Sequence, residues 1–162
     1  MKNLKIVRVN KNNFKDLGFL IRKLAKYLKQ DAPDNKAFQR LKKDLIAHHP
    51  RCEAYVQTFN DKPIGCVIFY IAYASFLGKP ILFLEDLFVL RSKRVQGFGK
   101  NLFLFCVEKA KEKKCARMDW RTLKEDRNAR NFYEKFGAKS VKKWIAYRLD
   151  EKRINSIVKI KK

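Results

Sequence analysis

Hydrophobic residues follow two spacings along the chain, and each spacing predicts a different element. Intervals of three and four residues are typical of one face of an amphipathic helix, whereas alternation or a short apolar run is typical of a strand. The first pattern covers residues 14–28, 37–47, 100–113 and 126–136. The second covers residues 4–9, 53–59, 64–74, 81–90, 115–122 and 142–149. The order β-α-α-β-β-β-α-β-α-β predicts an α/β (α+β) fold, with a mixed central sheet flanked by helices.

The composition indicates one domain. The chain has 162 residues, of which 46% are hydrophobic and 13% aromatic, so it is able to bury a core. No internal repeat, low-complexity linker or shift in composition divides it. We therefore expect a single domain over residues 1–162, whose basic tail, residues 151–162, either frays or forms a terminal helix.

The usual signals for a membrane span, for secretion and for a metal site are missing from the sequence. The longest uncharged run, residues 63–78, is shorter than the roughly 20 residues that cross a bilayer. The N-terminus lacks the apolar segment of a signal peptide. His48 and His49 are adjacent, but the sequence pattern offers no third residue to complete a metal site with them. No C-x-x-C pair occurs among the four cysteines, which are Cys52, Cys66, Cys106 and Cys115. We expect a cytoplasmic protein without a metal site or a membrane partner.

The net charge is +23, from 39 Lys and Arg against 16 Asp and Glu. Such an excess attracts phosphates, acidic surfaces and nucleic acid, but it also serves simply to keep a protein soluble. Solubility is therefore the default interpretation, and nucleic acid is an alternative partner that only the net charge supports.

Residues 94–99 lie between a predicted apolar strand and a predicted helix. In the sequence Arg94-Val95-Gln96-Gly97-Phe98-Gly99, the glycines let the backbone approach an anion, and the helix adds the positive end of its dipole. Lys93 and Lys100 add positive charge beside the loop. The pattern is neither the G-x-G-x-x-G of dinucleotide-binding folds nor a Walker loop. It predicts a phosphate-binding turn, and the alternative is an ordinary tight turn from strand to helix.

Two motifs in this order resemble those of the GNAT acetyltransferases, which bind acetyl-CoA. Residues 94–99 match the R-x-x-G-x-G pyrophosphate loop, and residues 128–138 are similar to the A-x-x-F-Y helix with its following Gly-Ala turn. Within the superfamily, the chain most resembles the spermidine/spermine (diamine) acetyltransferases. Three stretches carry that likeness, namely residues 24–27, 78–89 and 131–133. The resemblance implies the GNAT fold.

The resemblance also implies which residues hold acetyl-CoA. The strand before the loop offers backbone groups to the pantetheine arm, the loop binds the pyrophosphate, and the start of the last helix adds further contacts. The implied residues are Leu87, Phe88, Val89, Arg94, Val95, Gln96, Gly97, Phe98, Gly99, Lys100, Asp126, Asn128, Ala129 and Tyr133.

Acetyl transfer to an amine needs one group that removes a proton from the amine and another that protonates the departing thiolate. Glu85 and Asp86 are the only carboxylates between Asp61 and Glu108, and they lie in an apolar strand where a charge is costly. A salt bridge with nearby Lys or Arg is the alternative reason for their presence. Adjacent strand residues point to opposite faces of the sheet, so at most one of the two carboxylates faces the groove for the cofactor, unless the strand bulges.

The resemblance assigns roles to these side chains. Glu85 is implied to be the base, acting through a water molecule. Tyr133 is implied to be the general acid for the thiolate, and the alternative for Tyr133 is a tyrosine of the core. The implied acceptor-binding residues are Tyr27, Glu85, Asp86, Asp119 and Trp120.

Departures from the diamine enzymes leave the acceptor open. Ala74-Ser75-Phe76 keeps the family's aromatic residue but lacks its carboxylate, and Asp126 replaces the usual Asn. Arg121 and Lys124 add positive charge near the groove. We expect a homodimeric, acetyl-CoA-dependent N-acetyltransferase that acts by direct attack of a diamine, a polyamine or a lysine-like small amine. The alternatives are acetylation of a protein Lys or N-terminus, and a non-catalytic basic module of the same fold that binds nucleic acid.

Overall fold

The computed structural model describes residues 3–160, which form two compact units, one ending at Arg121 and the other beginning at Thr122. The single domain predicted for residues 1–162 stays a prediction. The first unit contains β1 (Leu4–Arg8), α1 (Phe14–Leu28), α2 (Asn35–Ile46), β2 (Glu53–Phe59), β3 (Lys62–Ala74), β4 (Lys79–Val89), α3 (Phe98–Glu112) and β5 (Met118–Trp120). The second contains α4 (Arg127–Glu134) and α5 (Glu151–Ile160).

The first unit is built on one five-stranded sheet in the order β1-β2-β3-β4-β5. The first four strands pair antiparallel with their neighbours, and β5 lies parallel to β4. The parallel pairing requires a crossover, which α3 supplies between β4 and β5. The predicted α/β class, with a mixed sheet and flanking helices, is confirmed.

Strand β4 carries a bulge at the predicted acidic pair. Leu84 pairs with Phe69 of β3 and Asp86 pairs with Ile68, so Glu85 is the extra residue of the longer strand. Beyond the bulge, Phe88 pairs with Cys66. Ile68, Cys66 and Phe88 belong to one buried cluster, so Asp86 lies on the same face of the sheet as that cluster.

Helix α1 packs against β2 and β3, α2 contributes to the same buried cluster as α1, and α3 packs against β3 and β4. Leu17, Leu20 and Ile21 of α1 are buried in the cluster that includes Phe38 and Leu45 of α2. On α3, Leu102, Phe103 and Cys106 are buried at spacings that keep them on one side of the helix. The three helices that the hydrophobic spacing predicted in this unit therefore each bury one side.

The strand predicted over residues 142–149 does not form, and this prediction is wrong. An alternating segment becomes a strand only where another backbone pairs with its N–H and C=O groups. The described part of the second unit contains two helices and no strand. Trp144, Ile145 and Tyr147 are accordingly 74%, 78% and 91% exposed. The basic tail forms a helix, α5, whose first turn is capped by the Asp150 carboxylate, which accepts from the Arg153 N–H at 2.7 Å.

Strand β5 is shorter than the predicted strand over residues 115–122. The N–H of Cys115 donates to Ala110 O at the end of α3, so this residue completes the helix exit instead of the strand. The N–H of Ala116 donates to Pro80 O, at the start of β4. The ladder itself covers only Met118, Asp119 and Trp120.

Candidate active site

The loop predicted to bind phosphate contains two residues in the left-handed region, Val95 at φ 63° and Gly97 at φ 83°. Gly97 is the N-cap of α3, and no side chain caps this helix. The first hydrogen bond of the helix runs from the Asn101 N–H to Gly97 O, so the amides of Phe98, Gly99 and Lys100 precede it. These amides and the helix dipole form the kind of end that binds phosphate.

The space around this helix start is open. A Cβ built on Gly97 meets nothing within 4 Å, and one built on Gly99 meets only Val89 Cγ2 at 4.0 Å. Val95 is β-branched and fully exposed, so neither its backbone preference nor burial explains its left-handed conformation. Backbone strain of this kind is concentrated at binding sites. The loop residues therefore fit a pyrophosphate.

Arg94 connects this loop to the end of β4 and to α1. Its Nε donates to Val89 O at 3.2 Å, and its guanidinium lies 4.2 Å from the ring centroid of Tyr27. The Tyr27 ring in turn lies 6.4 Å from that of Phe88. Tyr27, predicted to contact the acceptor, is thus brought together with the predicted cofactor residues Phe88, Val89 and Arg94.

Gln57 supports the first turn of α3 from inside the sheet, a role that the sequence analysis missed. This side chain is completely buried, and its Nε2 donates to Asn101 Oδ1 at 2.8 Å. Its Oε1 has no hydrogen-bond partner among the described residues. The only signal in the sequence is a glutamine that directly follows the apolar residues 54–56 of β2.

The edge of β4 that leads to the loop is left open by β5. The ladder between β4 and β5 ends at Leu84, whereas β4 continues to Val89. Within residues 3–121, no other strand borders β4 on that side. Phe88 and Val89 are buried and Leu87 is half-buried, so the backbone is what this edge presents. An extended, amide-containing chain is the natural partner of such an edge.

The two carboxylates of β4 have different surroundings. Glu85, in the bulge, is exposed, and its Oε2 lies 3.5 Å from Nη2 of Arg121, which directly follows β5. Asp86 is half-buried, and burial, together with the nearby Glu85 charge, raises the pKa of its carboxyl to about 6. A carboxyl that titrates there is well suited to exchange protons near neutral pH.

The two predicted acceptor residues of β5 have partners of their own. Both carboxylate oxygens of Asp119 accept from Arg117 Nε, at 2.9 and 3.1 Å. The Trp120 ring packs edge-on against Phe103 of α3, at 5.6 Å between centroids. Trp120 therefore lies against the helix that follows the loop, and a role in acceptor binding for either residue stays a prediction.

In the second unit, α4 begins as the motif predicts. Asp126 caps the helix, since its carboxylate accepts from the Ala129 N–H at 3.0 Å. Asn128 and Ala129 lie in the first turn, and Tyr133 lies in the last, with its ring 5.2 Å from that of Phe132. The turn after α4 contains Gly137 at φ 79°. The roles predicted for Asp126, Asn128, Ala129 and Tyr133 rest on the sequence motif.

The cysteines are not activated nucleophiles. All four are free, and burial raises the pKa of each thiol, to about 12 for Cys106. A thiol reacts through its thiolate, which a raised pKa disfavours.

The described residues contain neither a metal cluster nor a membrane-spanning helix. Among them, no three His, Cys, Asp or Glu side chains come together as a group that could hold a metal ion. The rings of His48 and His49 contact each other, with Nδ1 of the first 3.1 Å from Nε2 of the second. No helix between residues 3 and 160 has the length and apolar character needed to cross a membrane.

An open strand edge that leads to an anion-binding helix start suits a long acyl donor that ends in phosphates, as in the CoA-dependent acyltransferases. The model of the acetyltransferase (GNAT) family matches residues 20–138, and the chain belongs to this family. Its members use acetyl-CoA. The class of enzyme predicted from the two motifs, an N-acetyltransferase, is confirmed.

Two relatives named as acetyltransferases support the same conclusion, and one solved structure has the same fold. A thialysine N-epsilon-acetyltransferase of Caenorhabditis elegans is 27% identical over 158 residues, which cover 96% of this chain and 97% of the relative. L-ornithine N5-acetyltransferase NATA1 of Arabidopsis thaliana is 33% identical over 132 residues, 80% of this chain and 58% of the relative. The integron cassette protein VCH_CASS6 of V. cholerae has the same fold, with a TM-score of 0.81 at 24% identity over 97% of this chain and 98% of that chain. The predicted resemblance to acetyltransferases of small amines is confirmed.

Proposed function

We propose that the chain transfers the acetyl group of acetyl-CoA to a primary amine of a small acceptor, a diamine, a polyamine or a lysine-like amine. The observation that carries this proposal is the bulge of β4, which puts two carboxylates directly before the open strand edge and the phosphate-binding helix start. Relatives named for thialysine and ornithine support an acceptor with an amine on a short aliphatic chain.

The residues present fit acetyl-CoA as the donor. The amides at the start of α3 suit its pyrophosphate, with positive charge from Lys93, Arg94 and Lys100 beside them. The open β4 edge from Leu87 to Val89 suits the amides of its pantetheine arm. When bound, acetyl-CoA supplies an acetyl thioester that an amine is able to attack directly. The raised thiol pKa values support direct attack, since no cysteine is poised to carry the acetyl group.

Glu85 is the proposed base, and it takes a proton from the attacking amine through one water molecule. Its exposed position in the bulge leaves room for that water. Tyr133 is the proposed general acid, and its phenol donates a proton to the departing thiolate. Removal of the amine's proton is required because only the neutral amine has a lone pair for the carbonyl carbon.

Asp86 is a second candidate for the base. Its carboxyl is half-buried, and its pKa is raised to about 6 by burial and by Glu85. That value favours proton transfer near neutral pH more than the ordinary value of an exposed carboxyl does. If Glu85 is the base, Asp86 instead holds the acceptor's ammonium group in place by its negative charge.

We also propose a homodimer. Support comes from residues 141–149, where Val141, Trp144, Ile145 and Tyr147 are each at least 70% exposed. Contiguous exposed apolar side chains commonly mark a protein interface. Light scattering tests this proposal: a dimer mass supports it, and a monomer mass at high protein concentration contradicts it.

Consumption of acetyl-CoA over a panel of amines tests the proposed function. The panel contains diamines, polyamines, diamino acids and a lysine-containing peptide, so that small-molecule and protein acceptors are compared directly. We expect turnover with at least one small amine and much weaker turnover with the peptide. No turnover with any small amine, together with tight binding of nucleic acid at physiological salt, would overturn the proposal in favour of the nucleic-acid-binding module.

A further inference from the structure

The geometry points to Arg121 as the residue that binds a carboxylate of the acceptor, so that the enzyme prefers diamino acids to diamines. This inference rests on the proposed function and names the class of acceptor for the same site. Arg121 directly follows β5, beside the bulge of β4, and its Nη2 lies 3.5 Å from Glu85 Oε2. The guanidinium carbon lies 5.3 Å from the ring centroid of Phe83, which pairs with Asp119 in the β4–β5 ladder.

The guanidinium has capacity for a second anion. Its contact with Glu85 uses one nitrogen at the limit of hydrogen-bond length, whereas a guanidinium carries five N–H donors arranged for two-pronged binding of a carboxylate. The Arg121 side chain is 61% exposed and that of Glu85 is 46% exposed, so both are accessible to a small molecule.

The charges around the bulge suit a reacting amine at one end of the acceptor and a carboxylate at the other, and they do not suit a second ammonium that has no carboxylate beside it. Glu85 and Asp86 provide negative charge for the reacting amine. The next carboxylate on β5, Asp119, already accepts from Arg117 through both oxygens. The second ammonium of a diamine would therefore meet Arg121 at close range, where like charges repel. The net charge of +23 repels a dication further.

The dimensions agree with a diamino acid such as ornithine. Five bonds separate its side-chain nitrogen from its carboxylate carbon, so these atoms lie about 6 Å apart in the extended form. A base that acts through one water molecule lies about 5 Å from the amine nitrogen, since each hydrogen bond is about 2.6–3.2 Å long. Because Arg121 touches Glu85, an acceptor whose amine is activated through Glu85 is able to reach Arg121 with its carboxylate.

The test compares acceptors that differ only in that carboxylate. We would measure kcat/KM for L-ornithine, for L-ornithine amide and for 1,4-diaminobutane, and for the corresponding three compounds of the lysine series. The wild-type enzyme is expected to prefer each amino acid to its amide and to its diamine by about 10- to 100-fold, the range of one charged hydrogen-bonded contact. Arg121→Leu should remove that preference, mainly by raising KM for the amino acid, and Arg121→Lys should restore part of it.

A matched control separates this role from a general effect of charge. Arg8→Leu removes an arginine that also faces a glutamate, at 4.0 Å from Glu53, and that is similarly exposed at the far edge of the sheet. This variant should keep the wild-type preference. Calorimetric titration with CoA should give wild-type affinity for both leucine variants, which shows that they are folded.

Three results would overturn the assignment. One is a wild-type enzyme that acetylates these amines without preferring the amino acids, and another is a preference that survives Arg121→Leu unchanged. The third is an equal loss of activity on all acceptors, which would make Arg121 a positioning residue for Glu85. A wild-type enzyme that acetylates none of the six compounds and no other small amine would instead overturn the proposed function, and this inference with it.

Discussion

The proposed cofactor region and the proposed acceptor region lie along the same strand, β4, but they are built from different parts of the polypeptide. The cofactor region, Leu87 to Lys100, uses backbone amides, an open strand edge and a helix start. The acceptor region, Glu85, Asp86 and Arg121, uses charged side chains from a bulge and from the end of β5. A site made of backbone accepts many side chains around it, whereas a site made of side chains changes with each substitution. The two regions should therefore respond to mutation in different measurable quantities.

The largest expected effect is on turnover, from the acceptor region. Glu85→Gln should lower kcat by about 10²–10⁴-fold, the usual contribution of one general base, and should flatten the acidic limb of the pH–rate profile. The affinity for acetyl-CoA should stay unchanged, because this carboxylate does not bind phosphate. Asp86→Asn, measured alongside, should mainly raise KM for the acceptor. Near-wild-type turnover in the first variant and a deep loss in the second would make Asp86 the base.

A further effect on turnover tests the proposed general acid, Tyr133 of α4 in the second unit. Tyr133→Phe should lower kcat by about 10²-fold or more with little change in KM for the acceptor, because the phenol donates its proton only as the thiolate departs. Thermal unfolding of the variant should first show an intact fold, since the Tyr133 ring contacts Phe132. Turnover close to that of the wild type would mean that the thiolate leaves unassisted or takes its proton from water.

A smaller effect, on stability, distinguishes Asp86 from an ordinary exposed carboxylate. Burial and the Glu85 charge raise the pKa of Asp86 from 3.8 to about 6, so between these pH values the folded chain holds a proton that the unfolded chain has lost. This group therefore lowers the free energy of unfolding as the pH rises from about 4 to about 6 and has a constant effect above that range. Asp86→Asn should remove this contribution. The free energy of unfolding of the variant, relative to that of the wild type, should therefore increase as the pH rises over the same range. Urea unfolding of both proteins at several pH values measures the difference between their free energies of unfolding. A difference that does not vary with pH would contradict the raised pKa of Asp86.

The same contrast explains what the sequence could predict. The turn from β4 to α3 was predictable because it depends on glycines between a strand and a helix, which are local features of residues 94–99. The helices of the core were predictable because their burial follows a local spacing. The pairing of Glu85 with Arg121 depends on the bulge and on the register of β5, which join residues far apart in the chain. The predicted strand over residues 142–149 failed for the same reason, since alternation describes one strand and says nothing about its partner.

The measurement that tests the separation of the two regions most directly is the dissociation constant of CoA, determined by calorimetry for three proteins. Gly99 lies in the first turn of α3, where a side chain has room and the backbone is not strained, so Gly99→Val adds bulk beside the amides without disturbing the fold. The account predicts that Gly99→Val weakens CoA binding by at least about 10-fold, and that Glu85→Gln leaves it at the wild-type value. Unchanged CoA affinity in Gly99→Val, or a comparable loss in Glu85→Gln, would contradict the account.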